Sequence, residues 1–430
     1  MRFIRTSVGV VAVAAVLTGC AAGGGAGSAE VDADVDPQDV SGEISYAIWD
    51  VNQEPGMKAL IADFNETYPN VDVSVEVTAF AQYWTKLQTQ GSSGTLPDVF
   101  WMNGPNFQLY ASNGLLAPLA PLEDAGMIDR ANYPDAMNEL YTLDGEMYGI
   151  PKDFDTIAVF YNKDILARAG LAEPTSDWTW DDYHAMAKTI SDQLGAEGII
   201  GAGDNYDNQP MVYPAILGNG GTIIEDGVSG YDDPKTIEAL QFWADMVADG
   251  SMLTPAQNAD TPGSIRFING QAGMMWSGTW QIAPLLDSVV KDHVGVVELP
   301  LAPTGERQTV IHGIGNVMSA DAADDPAAQA FLAYLGSEEA ALIQAEMGVA
   351  NPAFNGTQQA WIDSAPGWNL EIFQDAAKDY AQPYPISLNT SAWNKLETEM
   401  LPAAFSGERP VADVAEELAE RMNEALAKEQ

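Results

Sequence analysis

Residues 43–77 read EISYAIWDVNQEPGMKALIADFNETYPNVDVSVEV. Ile44, Tyr46 and Ile48 alternate with small or polar neighbours, the period of a strand, which stops at Trp49-Asp50 and a polar turn. Met57, Leu60, Ile61 and Phe64 then fall at i, i+3, i+4 and i+7, one face of a helix, and Val71, Val73, Val75 and Val77 return to period two. Downstream, a helical stretch carrying Trp84 and Leu87 breaks at Gly91, and residues 98–102 form a third short strand. Strand, helix, strand, helix, strand predicts an α/β domain with a largely parallel sheet.

A second set of elements follows. Residues 155–162 read as a strand. Thr179 is placed to cap a helix with Asp181 and Asp182 in its first turn and Tyr183, Met186, Ala187 and Ile190 on one face. Asp233-Pro234 and Asp325-Pro326 both have the form of a helix start, a capping acid before a proline. From Pro410 onward Val414, Leu418, Met422 and Leu426 line one stripe of an acidic amphipathic helix. A chain of 430 residues exceeds one ordinary core, and no internal repeat is visible, so the expectation is two α/β lobes with a helical C-terminus.

The N-terminus is read separately. MRFIR carries two arginines, Val8 to Leu17 form an apolar run about half the length of a membrane span, and Thr18-Gly19-Cys20 follows. L-T-G-C at the end of such a run resembles the bacterial lipobox, which implies a signal peptide over 1–19 and lipidation of Cys20, the one cysteine of the chain. A plain secretory signal holding an incidental cysteine is the alternative. Residues 20–41, rich in Gly, Ala and acids, read as a lipid-anchored flexible linker. Asp32, Asp34, Asp36 and Glu43 imitate calcium-loop spacing, but Pro37 stands where that loop needs glycine, so a solvated linker is expected and no metal site.

With 18 Lys+Arg against 62 Asp+Glu the net charge is −44, and removal of Arg2 and Arg5 with the signal makes it 16 − 62 = −46. Such a polyanion cannot neutralise phosphates, so nucleic acid and anionic membrane surfaces are excluded as partners, and the scarcity of cations points to an uncharged ligand. No catalytic motif emerges: there is no G-x-S-x-G, H-E-x-x-H, P-loop or strand-borne G-x-G-x-x-G, and no cofactor is implied. The abundant acids leave a glycosidase-like carboxylate pair open without supporting one. His312, before Gly313-Ile314-Gly315, is expected as a hydrogen-bonding residue. The eleven tryptophans are more telling. Trp49, Trp101, Trp276, Trp280 and Trp393 sit at apparent strand ends or loops, with Trp276 and Trp280 bracketing Ser277-Gly278-Thr279. Aromatic faces with Asp, Asn and Gln rims suit a sugar, whose ring offers C–H faces and a hydroxyl edge.

FNETYPNV at 64–71, LPDVFWMN at 96–103 followed by LYASNGLLAPL, YGIPKDFDTIAVFYNKD at 148–164, FINGQAGMMWSGTW at 267–280, and VGVVELPLAPTG leading to HGIGN at 312–316 together resemble the extracellular solute-binding proteins of bacterial ABC importers, in particular the group that includes maltodextrin-binding proteins. The resemblance covers roughly residues 43–427 and implies a two-lobed periplasmic-binding-protein-like fold that closes on its ligand by hinge motion. It implies lobe 1 over 42–153 plus 297–346 and lobe 2 over 154–296 plus 347–430, with crossings near residues 151–156, near residues 294–299 and near Gly348.

Carried onto this sequence, the resemblance implies stacking by Trp280 and Trp393 and hydroxyl contacts from Asp155, Asn103 and Asn106. Gln53 and Glu54 lie in the corresponding first loop, and Asn208 with Gln209 in the polar stretch before Tyr213. Trp276, Gly278 and His312 complete the expected ligand-binding set. The loop Asn103-Gly104-Pro105-Asn106 lacks the charged residues of the maltodextrin-binding pattern, which puts maltodextrin in doubt and leaves a neutral sugar intact. The expected function is a lipid-anchored, monomeric receptor on the outer face of the bacterial membrane (the periplasmic side where an outer membrane exists). It binds a mono- or oligosaccharide without breaking bonds and delivers it to the transmembrane subunits of an ABC permease. The alternatives are an importer receptor for a peptide, polyamine or metal, and a surface glycosidase.

Overall fold

The computed structural model describes residue 31 and residues 35–429. The signal segment and Cys20 lie outside the described residues, as do Asp32 and Asp34 of the calcium-like spacing. Among the described residues no helix is long and apolar enough to cross a membrane.

The opening pattern folds as its periodicity requires. Gly42–Ile48 and Val71–Val77 are parallel strands flanking the helix Glu54–Thr67, whose Met57, Leu60 and Phe64 are buried. Val99–Asn103 joins on the other side of Gly42–Ile48, also parallel. Two further strands extend this five-stranded sheet: Ile314–Met318 runs antiparallel to Val99–Asn103, and Gly149–Pro151 lies beyond it at the edge. The second sheet has the order Val294–Val297, Ala158–Asn162, Ala272–Ser277, Ile200–Ala202, and only its last pair is parallel. Both sheets are therefore mixed, where local pattern predicts mainly parallel pairing: period two reports which face is buried and carries no information on strand direction.

The expected helix starts are present. Thr179 accepts from Asp182 N while the Asp182 carboxylate accepts from Thr179 N at 2.9 Å, a reciprocal cap of the helix Trp180–Leu194 that contributes about 1 kcal/mol. Asp233 and Asp325 cap Pro234–Ala248 and Pro326–Leu335 one way only, their carboxylates accepting from backbone N–H groups of the first turn. The C-terminal helices Thr390–Phe405 and Val411–Leu426 pack on the second sheet's side through Trp393, Leu401, Val414, Leu418 and Met422.

Each sheet has its own core, and three segments connect them. Along the first connection Ile150 and Phe154 pack in the first core and Ile157 in the second. The return does not fall near 294–299. Leu299, Ala302 and Val310 pack in the second core, whereas Ile311, Ile314 and Val317 pack in the first, so the chain changes sides at 310–314. The third change comes after Ala353, not at Gly348, since Val349, Ala350 and Ala353 still belong to the first core and Trp361 packs beneath the second sheet. At the junction the segments are laced by backbone bonds: Lys152 N donates to Ile314 O (2.8 Å), His312 N to Asp155 O (3.1 Å), Phe154 N to Asn351 O (3.1 Å) and Ala353 N to Lys152 O (3.1 Å).

Candidate functional site

The carboxyl ends of four strands converge on the gap between the sheets. Trp49 and Asp50 follow Gly42–Ile48, Asn103 closes Val99–Asn103, Asn205 to Pro210 follow Ile200–Ala202, and Ser277, Thr279 and Trp280 end or follow Ala272–Ser277. A parallel pair supplies two of these ends on each side, which is where α/β sheets leave side chains free for a ligand. The result is a cavity of about 330 Å³ whose floor is formed by the crossing residues Asp153, Asp155, His312 and Ala350. Gln53, Phe80 and Ile314 complete the first-sheet wall.

The aromatic surfaces are held from behind. Trp49 meets Tyr83 and Trp101 edge-on at 5.1 Å, and Tyr83 is itself fixed by its hydroxyl bond to Trp101 O at 2.9 Å. Phe80, half exposed at the mouth, meets Trp49 at 5.7 Å. Across the gap the Trp280 ring folds back over Gly278, leaving no room there for a β-carbon.

The polar groups are oriented with equal economy. Asn106 donates from Nδ2 (2.9 Å) and from its backbone (3.3 Å) to Asn103 Oδ1, so Asn103 turns its Nδ2 away from that partner. Lys152 Nζ, fully buried, binds Asp153 Oδ2 at 2.7 Å and Gln53 Oε1 at 2.9 Å, and sits 4.8 Å over the Trp101 ring. Asp153 Oδ1 accepts from Ile314 N at 2.7 Å, and Thr279 Oγ1 donates to Asp155. Burial, reinforced by the neighbouring Asp153 charge, pushes the Asp155 carboxyl up to about 8, so near neutrality it offers a proton as well as a lone pair. His312 Nε2 accepts from Gly104 N at 3.2 Å, and burial lowers its imidazole to about 3. It is neutral with the proton on Nδ1, a hydrogen-bonding group as expected. No Lys or Arg lines the cavity among the described residues.

Of the expected ligand-binding residues, Gln53, Asn103, Asp155, Trp280 and His312 line one cavity, with Gly278 directly under Trp280. Five do not. Glu54, partly buried outside the cavity, pairs with Lys58 at 2.6 Å. Asn106 stands behind Asn103. Asn208 turns inward to Glu397 at 2.5 Å while its neighbours Asp207 and Gln209 line the cavity. Trp276 packs against Trp243 at 4.9 Å and Tyr183 at 5.8 Å, with its backbone N–H on the buried Asp204. Trp393 is fully buried, and its Nε1 donates to Ser387 at 2.9 Å. The cavity residues that pattern reading leaves out include Asp50, Phe80, Asp153, Asn205 and Asp207; Trp49 was legible as a strand-end aromatic.

Residues 49–342 match the model of the bacterial extracellular solute-binding protein family. The chain belongs to that family. Membership places its body outside the cytoplasm. It is 25% identical over 312 residues to the arabinooligosaccharide-binding protein of Bacillus subtilis (strain 168), spanning 70% of this chain and 71% of that one. It is 27% identical to the diacetylchitobiose binding protein of Streptomyces coelicolor over 99% of this chain and 100% of the relative. An ABC substrate-binding protein from Listeria monocytogenes, solved in complex with cycloalternan, superposes with a TM-score of 0.83 at 25% identity over 90% of this chain and 99% of its own. The solute-binding family member described here thus has the two-lobed periplasmic-binding-protein fold, its cavity lying where the lobes meet.

Proposed function

We propose that this solute-binding protein captures an uncharged mono- or oligosaccharide between its lobes and presents it to an ABC import permease, acting by binding alone. The observation that carries this reading is the composition of the cavity: Trp49, Phe80 and Trp280 offer apolar faces to a sugar ring, and Gln53, Asn103, Asp155, Thr279 and Gln209 supply a rim of hydrogen-bonding groups with no cation to recognise an acid. The relatives that bind arabinooligosaccharides and diacetylchitobiose support the same class of ligand. Closure needs only a differential affinity of several kcal/mol between open and closed forms to shift the population. A micromolar Kd, about −8 kcal/mol, is within reach of stacked rings plus a few polar contacts.

The lipobox resemblance supports tethering of the protein through Cys20 to the outer face of the membrane, with residues up to 41 as leash. Cys20→Ser should release the protein from washed membranes into the soluble fraction. A thermal-shift panel of arabinotriose, galactotriose, maltotriose, diacetylchitobiose, spermidine and Ca²⁺ tests the ligand class, because a ligand that binds only the folded state raises Tm. A rise with a saccharide alone is expected; a rise confined to spermidine or Ca²⁺ moves the reading to a non-sugar solute. Release of reducing sugar during incubation defeats the claim that binding is the whole activity.

A further inference from the structure

Behind the cavity wall lies a carboxylate with no cation among its partners. Glu397, fully buried on the helix Thr390–Phe405, accepts from Tyr231 OH at 2.5 Å, Tyr213 OH at 2.9 Å, Asn394 Nδ2 at 2.8 Å and Asn208 Nδ2 at 2.5 Å. A buried acid is costly, and an apolar residue of similar volume would commonly serve a core at least as well. The destination of its bonds gives the reason for it. Asn208 opens the π-helical turn Asn208–Val212, and the residues beside it, Asp207 and Gln209, line the cavity. Single π-helical turns are rare and frequent at functional sites. This one is clamped at both ends: Asp207 Oδ1 accepts from Gln209 N at 3.1 Å, and Glu397 holds both Asn208 and Tyr213, the residue that follows the turn. Gln209 Nε2 is buried without a hydrogen-bond partner in the protein, a donor that the turn leaves unsatisfied.

We propose that Glu397 is a positioning residue of the ligand site: from the C-terminal helices it fixes the turn Asn208–Val212 so that Asp207 and Gln209 meet the ligand, and it thereby sets the second lobe's share of affinity. The affinity clause rests on the saccharide reading above; the positioning clause does not.

Glu397→Gln preserves shape but turns an amide N–H₂ toward groups that are themselves donors. Hydrogen–deuterium exchange on the ligand-free protein should show amides of residues 207–213 exchanging about tenfold faster or more in this variant, with the remainder of the second lobe unchanged. Ile190→Ala, a cavity in the same core but on the helix Trp180–Leu194, provides a matched loss of Tm and should leave 207–213 protected. In calorimetric titrations with arabinotriose, maltotriose and diacetylchitobiose, Glu397→Gln and Asn208→Ala should each weaken the sugar that binds by about tenfold, and the double variant should lose no more than the worse single one. Unchanged exchange at 207–213, or losses that add fully, overturns the proposal. Exchange is read without ligand, so wild-type protein that takes none of these sugars defeats the functional reading while the positioning role is still decided.

Discussion

The ring of Trp280 lies over the α-carbon of Gly278, so close that a β-carbon on residue 278 would overlap ring atoms Cζ3 and Cε3. Gly278 itself has φ −99° and ψ −173°, backbone that any residue adopts, so the glycine is there for space and not for conformational freedom. Gly278→Ala should therefore push the indole out of its place in the cavity wall with little other effect. Its cost in saccharide affinity should approach that of Trp280→Ala, about 1–3 kcal/mol, while Tm moves by only a few degrees. Calorimetry on both variants checks this: an alanine at 278 with wild-type affinity would show that the ring does not touch the ligand.

The Lys152–Asp153 ion pair is buried behind the cavity floor, with side chains 0% and 4% exposed. Removing the ammonium leaves Asp153 charged in a dry site and takes away the donor to Gln53. Lys152→Met should destabilise the protein by about 3–5 kcal/mol in denaturant titration, because an uncompensated buried charge costs more than the pair contributes. Lys152→Met with Asp153→Asn should recover part of that loss. A double variant as unstable as the single one would show that packing over Trp101, rather than charge, is what Lys152 supplies.

Patterns that report burial were legible in advance, and those that depend on direction or on a single rotation were not. Ile44, Tyr46, Met57 and Phe64 announce their elements because one face of each must be buried. Thr179, Asp233 and Asp325 announce helix starts because a cap acts locally. The site was half legible for a related reason. Asn103 and Trp280 stand at strand ends, where chain geometry alone exposes them. Asn208 and Gln209 differ only by one step around a π-helical turn, a geometry with no sequence period to betray it. Trp393 looked like a loop aromatic because Glu397, one turn on, interrupts the apolar stripe that would have marked its helix as buried. The return crossing was misplaced since residues 299–308 lack a strand's alternation, and what ties the segment to the second core, the Leu301 bridge to Thr179 and the pairing of Thr309–Ile311 with Ala381–Pro383, involves partners distant in sequence.

The burial of Trp393 has a measurable counterpart. Because the indole is fully buried and hydrogen-bonded to Ser387, it should contribute to stability and not to stacking on a ligand. Trp393→Phe should lower unfolding free energy by about 1–3 kcal/mol through lost volume and an orphaned Ser387 partner. Sugar affinity, measured well below the unfolding transition, should match wild type within about twofold, in contrast to Trp280→Ala. A large affinity loss in Trp393→Phe at full folding would return this residue to the ligand's surroundings.

Three buried carboxyls give the protein a stability that declines with rising pH. Burial lifts Asp155 to about 8, with help from the neighbouring Asp153 charge, and lifts Asp204 and Glu397 to about 7, against ordinary values near 4. Between those limits the folded state binds more protons than the unfolded chain, so the slope of unfolding free energy with pH is negative. The contribution is fully present below about pH 4 and is lost as pH rises through 7 to 8. Self-repulsion in so acidic a chain acts in the same sense, so Tm alone cannot apportion the effect, whereas one conservative substitution can. Asp204 accepts from Trp276 N at 2.5 Å and Tyr183 OH at 2.6 Å. In Asp204→Asn the amide oxygen can keep the first bond, and the amide N–H can donate to the tyrosine in place of the second. The variant should be nearly as stable as wild type at pH 5 and progressively more stable than it from pH 6.5 to 8.5, as read by Tm across that range. A difference that stays constant with pH would mean that Asp204 does not take up its proton on folding.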